Sequence, residues 1–164
     1  MKIKKYVAIL AVAAASATAF LAVAGQGDEK NEQPVAFADL PAAAQLTVNT
    51  NAAGSTVTQV GMTSRHGGIY YDAKVTDASG TKSTIIVAAD GSLEELRTEV
   101  AWNTLPAAVQ TTVTAKANGG TVDRVELEKK HGQLLYEVNL TGSDGEKMEI
   151  HVGQDGSLLH RGHD

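Results

Sequence analysis

Cysteine is absent from all 164 residues. Disulfides and thiolate metal sites are therefore excluded, as is lipid attachment through an N-terminal Cys. Stability outside a reducing compartment has to come from packing alone. A run of basic residues is also missing, and the formal net charge is −5. An acidic chain without a basic patch lacks the phosphate contacts that supply most nucleic-acid affinity. The same balance argues against anionic lipid surfaces.

The N-terminus is built differently from the rest. Lys2, Lys4 and Lys5 precede an uncharged apolar and small-residue run from Tyr6 to Ala24, which closes on Ala22-Val23-Ala24 before Gly25. A positive start, an apolar stretch and a small-x-small end are the marks of an export signal, so residues 1–24 are expected to be a signal peptide. The run also just suffices to span a bilayer, and an uncleaved anchor is the alternative. Cleavage after Ala24 leaves 11 basic against 19 acidic residues, a mature charge of −8. The expected location is periplasmic or secreted, with no membrane insertion after cleavage. Residues 25–36 are polar and read as a flexible linker.

Beyond the linker the sequence matches itself at an offset of 65 residues. Leu40-Pro41-Ala42 falls on Leu105-Pro106-Ala107, Gly54 on Gly119, and Thr56-Val57 on Thr121-Val122. The register then holds through His66-Gly67 on His131-Gly132, Tyr71 on Tyr136, and Asp90-Gly91-Ser92-Leu93 on Asp155-Gly156-Ser157-Leu158. A period of this length is one supersecondary unit, not a short solenoid repeat. Two repeats are expected, 37–99 and 100–164.

Each unit begins helical and then alternates. Leu40, Ala44 and Val48, like Leu105, Val109 and Val113, recur at i, i+4 and i+8 and give one apolar helix face. Asp39 and Thr104 stand where an N-cap belongs, with Pro41 and Pro106 in the first turn. Gly54 and Gly119-Gly120 stop the helices. Alternating runs follow, broken at Gly-containing pairs such as Ser79-Gly80, Asp90-Gly91 and Asp144-Gly145, which read as hairpin turns. The expectation is an α+β fold of two tandem helix-plus-antiparallel-meander modules, α-β-β-β-β each. The helices pack on one face of the sheet. Units this small are marginal alone, so the two should share a core or continue one sheet. The connector from Glu94 to Trp102 is expected across their junction.

The layout Leu105-Pro106-Ala107-Ala108, Gly119-Gly120-Thr121-Val122, Val125-Glu126, Tyr136-Glu137-Val138, Asp144-Gly145 and Asp155-Gly156-Ser157-Leu158 resembles the PepSY-like family. The tandem pair is similar to its members grouped with the beta-lactamase-inhibitor (BLIP-like) fold. The first copy departs from the pattern, with Gly61 for Glu126 and Asp72 for Glu137. The resemblance implies an exported, non-catalytic module that binds a protein or peptide on the sheet face opposite the helices. Some members are implicated in peptidase inhibition. No matched residue carries that inhibitory role.

Catalytic chemistry finds no foothold. Ser64 with His66, or Ser157 with His160, lack a strand-turn-helix elbow and a third orienting group. The glycine pair at 119–120 ends a helix instead of opening one, so no phosphate cradle is expected. Asp144-Gly145-Glu146 lacks calcium-loop spacing. No enzyme activity and no cofactor are expected. Among five histidines, His160 and His163, with His151 on a neighbouring strand, are weak metal-ligand candidates. They support an alternative reading as a small-ligand or metal-binding envelope protein using the His-rich C-terminus.

The outward sheet positions of the second copy, Arg124, Glu126, Glu128, Glu137, Glu149 and His151, read as a wet surface. Their counterparts in the first copy, Gln59, Gly61, Thr63, Asp72, Thr84 and Ile86, have lost that charge, and Tyr70 points the same way. An apolar shift on one copy suggests that this face meets a partner; the alternative is that it packs against the second copy or simply tolerates neutral residues. The expected partner-binding residues are Tyr70, Ile86, Asp72 and Thr84. The expected partner is a protein or peptide of the cell envelope.

Overall fold

A computed structural model describes residues 32–65 and 67–159. The proposed signal peptide, most of the linker, His66 and the tail histidines His160 and His163 lie outside the described residues. Among the described residues, nine strands and two α-helices follow in order. β1 is Gln33–Pro34, α1 Ala42–Ala52, β2 Thr56–Arg65, β3 Gly68–Thr76, β4 Lys82–Ala88 and β5 Leu93–Glu99. α2 is Ala107–Ala117, β6 Thr121–Lys130, β7 Gln133–Thr141, β8 Lys147–Gly153 and β9 Leu158–Leu159.

Two self-contained α-β-β-β-β modules are not what forms. All nine strands make one antiparallel sheet in sequence order, β1 to β9, with two helices on it. The stretch expected as a connector over the junction is instead the central strand β5. It pairs with β4 through Ser83↔Thr98 to Val87↔Leu93 and with β6 through Glu95↔Lys130 to Glu99↔Glu126. The pairing has a simple reason. β1 lies on β2 through Gln33↔Met62 and Pro34↔Gly61, and the pairs 65 positions on are Thr98↔Leu127 and Glu99↔Glu126. The end of β5 therefore does for the second half what β1 does for the first. Its start corresponds to β9, which closes the far edge on His151 and Val152. One strand shared in this way leaves no seam at which two modules could separate.

Alternation along the strands decides what lies beneath the helices. Val60, Tyr71, Ala73, Val75, Ile85 and Val87 are buried with Leu40, Ala44, Val48 and Ala52 of the α1 segment. Val125, Val138, Leu140 and Val152 do the same with Leu105, Val109, Val113 and Ala117. Both helices thus cover one sheet face with the stripes expected of them. Asp39 and Thr104 do not cap them. Each ends a short 3₁₀ turn, Phe37–Asp39 or Trp102–Thr104, and the N-cap positions are Pro41 and Pro106 with extended ψ and no side-chain cap. Gln45 and Gln110 reach back instead, donating from Nε2 to the Leu40 and Leu105 carbonyls at 2.8 and 2.9 Å.

Each helix is also tied to the turn after the third long strand. Thr47 and Thr112 donate to the Gly91 and Gly156 carbonyls, both at 2.6 Å. Those turns come so close that a Cβ on Gly91 or Gly156 would meet the helix backbone at Ala43 or Ala108 within 2.9 Å, and both glycines have φ near +90°. Only glycine serves there.

Candidate functional site

The free face of the sheet is not the wet surface that its sequence suggests. Glu95, Glu126, Glu128, Glu137 and His151 are all buried. Ionised carboxylates leave water at a cost of several kcal/mol each unless paired, so their partners organise the face. Arg97 on β5 is ion-paired with Glu95 through Nε, and the same nitrogen lies 3.9 Å from Glu137 Oε2. Lys130 Nζ reaches Glu95 at 2.9 Å, and Arg124 Nη2 donates to Glu126 at 2.7 Å. Burial alone would push the Glu95 carboxyl up; Arg97 and Lys130 together override it and hold it below the usual range. Glu126 has a weaker set of partners, and burial wins: its carboxyl is pushed up, with Arg124 only partly opposing.

The expected partner-binding residues lie on this face in adjacent strands. Asp72 on β3 faces Ile86 on β4, which in turn faces Glu95. Lys74 faces Thr84, which faces Arg97. Asp72, Thr84, Ile86 and Arg97 together line a groove of about 570 Å³ that continues to Glu126. Ile86 is not an exposed anchor, however: it is 2 % exposed. β4 carries Ile85, Ile86 and Val87 in succession, all buried, the pattern of a strand covered on both faces. A charged residue at 86 would disrupt the fold and so could not test binding alone. Tyr70 is partly exposed, with the Arg65 guanidinium 4.6 Å from its ring centroid. Asp72 carries an Oδ1 that is buried without a hydrogen bond, and burial pushes its carboxyl up despite Arg65 nearby.

Two features escaped sequence reasoning. Gly61 does not leave a neutral gap: a Cβ there would fall inside the Glu32 carboxylate. Glu32, just ahead of β1, thus puts a carboxylate where the second half uses Glu126. The other feature is a buried triad in the second half. One donor atom each from Glu128, Glu137 and His151 lies within 4.8 Å of the other two. Of the three expected metal-ligand candidates, only His151 is among the described residues. It stands next to glutamates of β6 and β7.

Among the described residues no helix is long and apolar enough to cross a membrane. No protein-family model and no curated protein matches the sequence. Solved structures do match. A candidate periplasmic protein from Bacteroides eggerthii superposes with a TM-score of 0.62 at 17% identity, over 74% of this chain and 86% of that one. A DUF2874 family protein from Bacteroides uniformis gives 0.61 at 18%, over 73% and 86%. A BLIP-like protein from Bacteroides fragilis gives 0.58 at 23%, over 74% and 84%. At these identities the likeness is one of architecture, and the chain has a BLIP-like fold.

Proposed function

We propose that the protein is an exported, non-catalytic binding protein of PepSY-like type that docks a protein or peptide of the cell envelope on the sheet face opposite its helices. On this reading the chain is cleaved after Ala24, and Tyr70, Asp72 and Thr84 form the docking surface, with Ile86 buried beneath it. The role of docking is to inhibit or regulate the partner, an exported peptidase or another envelope protein.

Asp72 carries the proposal. A buried acceptor without a hydrogen bond costs about 1–3 kcal/mol, and Asp72 Oδ1 is one, at the wall of an open groove. A Lys or Arg from a partner would supply the missing donor, with its aliphatic stem along Thr84 and its flank against Tyr70. The groove otherwise carries charges of both signs, such as Lys74 and Glu99. It therefore suits a polar segment with a projecting basic side chain better than an apolar plug.

A photo-crosslinking residue placed at Thr84 in the native cell tests the assignment. It should yield one discrete adduct that disappears with Asp72→Lys. A probe at Leu46, exposed on α1, should yield none. Equal adducts from both probes, or an adduct indifferent to Asp72→Lys, would remove the docking site.

A further inference from the structure

We infer that Glu128, Glu137 and His151 form a binding site for one divalent transition ion of the zinc class. The site is distinct from the docking groove and does not depend on it. Glu128 is 1 %, Glu137 5 % and His151 6 % exposed. His151 Nε2 makes no hydrogen bond, although it is buried and points among carboxylates. It stands 3.7 Å from Glu137 Oε2, 4.0 Å from Glu128 Oε2 and 3.6 Å from Glu149 Oε1.

Those distances decide between two accounts of the cluster. A protonated imidazole among carboxylates closes to a charge-assisted hydrogen bond of about 2.7–2.9 Å with one of them. Here Nε2 holds off from three oxygens by similar amounts. Bonds of about 2.0–2.2 Å to a tetrahedral ion set donor atoms roughly 3.3–3.6 Å apart, so small side-chain rotations would bring the three donors onto one centre. Glu137 Oε2 also lies 3.9 Å from Arg97 Nε, so a bound cation would share that carboxylate with the guanidinium. One imidazole and two carboxylates suit zinc and its neighbours, whereas calcium takes six to eight oxygens.

Access and the remaining coordination position are also provided. Glu128 and His151 form part of the wall of a cleft of about 420 Å³ that also touches Lys130, His131, Leu158 and Leu159. Water or a ligand atom can reach the ion from that side, and Glu149 is a half-exposed alternative donor. The first half of the sheet supplies an internal control. The positions 65 residues earlier are Thr63, Asp72 and Ile86, which leaves one strong donor in place of three.

Isothermal titration of the purified, chelator-treated protein with zinc chloride tests the site, with manganese and calcium chloride in parallel. One equivalent of zinc should bind per chain, more tightly than either other ion. Substituting His151→Ile, the residue of the first half, should weaken binding by at least roughly 100-fold. Loss of a merely supporting residue already costs a metal site up to that amount. Glu128→Gln, a near-isosteric change that keeps the packing, should weaken it by at least about 10-fold. Cobalt bound to the wild type should show the intense visible absorption of a tetrahedral centre, lost in both variants. His160→Ala with His163→Ala should retain the full equivalent, which separates this site from the tail. No stoichiometric zinc binding, binding unchanged by His151→Ile and Glu128→Gln, loss in the tail variant, or a preference for calcium would each overturn the inference.

Discussion

The two halves of the sheet share a backbone register and differ in what they place on the free face. In the first half, Pro34, Gly61, Asp72 and Ile86 pair in one cross-strand row. In the second, Glu99, Glu126, Glu137 and His151 pair in the equivalent row. On the helix side the halves hardly diverge: Val60, Ala73, Ile85 and Val87 stand where Val125, Val138, Ile150 and Val152 stand. The contrast separates two pressures on one sheet. The helix face must fill a core at fixed volume, which permits small exchanges among aliphatic residues. The free face carries buried charges, and each half supplies them differently. One uses a glycine and a carboxylate brought in by Glu32; the other uses glutamates of its own strands.

Arg97 is where the two rows meet, since its Nε serves Glu95 beyond Ile86 and Glu137 in the second row. Arg97→Ala should therefore produce the largest loss, about 3–5 kcal/mol, because it leaves buried carboxylates uncompensated. Urea denaturation at neutral pH would measure it. A loss below about 1 kcal/mol would mean that the rows are electrostatically independent. The next effect compares equivalent positions. Ile86→Ala should cost about 2–5 kcal/mol as a packing cavity. His151→Ala, measured with a chelator present, should stay within about 1 kcal/mol, because it also removes a buried nitrogen that makes no hydrogen bond. Equal losses at both positions would make His151 ordinary core and dissolve the contrast between the halves.

Much of this was legible from residue order. The helix stripes, the glycine turns and the alternation of β3 and β7 follow from local periodicity, and the self-match at 65 residues predicted where they recur. The docking of Gly91 and Gly156 under the helices shows why those turns need glycine. The reach of β5 beyond the short fourth strand expected of the first unit was hidden, because Leu93-Glu94-Glu95-Leu96-Arg97-Thr98-Glu99 looks like a solvated connector. Glu95 is buried there only because Arg97 and Lys130 come to it from its own strand and from β6. Ile86 did carry a signal. Three consecutive β-branched residues, Ile85-Ile86-Val87, denote a strand covered on both sides, and reading them as simple alternation put Ile86 in water. The triad carried none, because Glu128, Glu137 and His151 come from three strands and register alone brings them together.

Asp72 and Glu95 flank Ile86 in one row, and their acidities should move stability in opposite directions. Burial raises the Asp72 carboxyl above its ordinary value. The folded state then holds that proton more tightly than the unfolded state, so its contribution is full below the ordinary aspartate range and is lost as pH rises through the raised value. Asp72→Asn should accordingly gain stability over wild type as pH climbs toward neutrality, and match it in acid. Glu95 is held low because Arg97 and Lys130 override its burial. Its contribution is present above the ordinary glutamate range and is lost as pH falls through the lowered value. Glu95→Gln should be the less stable protein at neutral pH, with the deficit closing in acid. Urea midpoints for both variants and wild type from pH 3 to 8, on the order of one point per half unit, would resolve the two trends. Curves of the same sign would mean that Asp72 has found a cation after all, and the unmet acceptor on which docking rests would be gone.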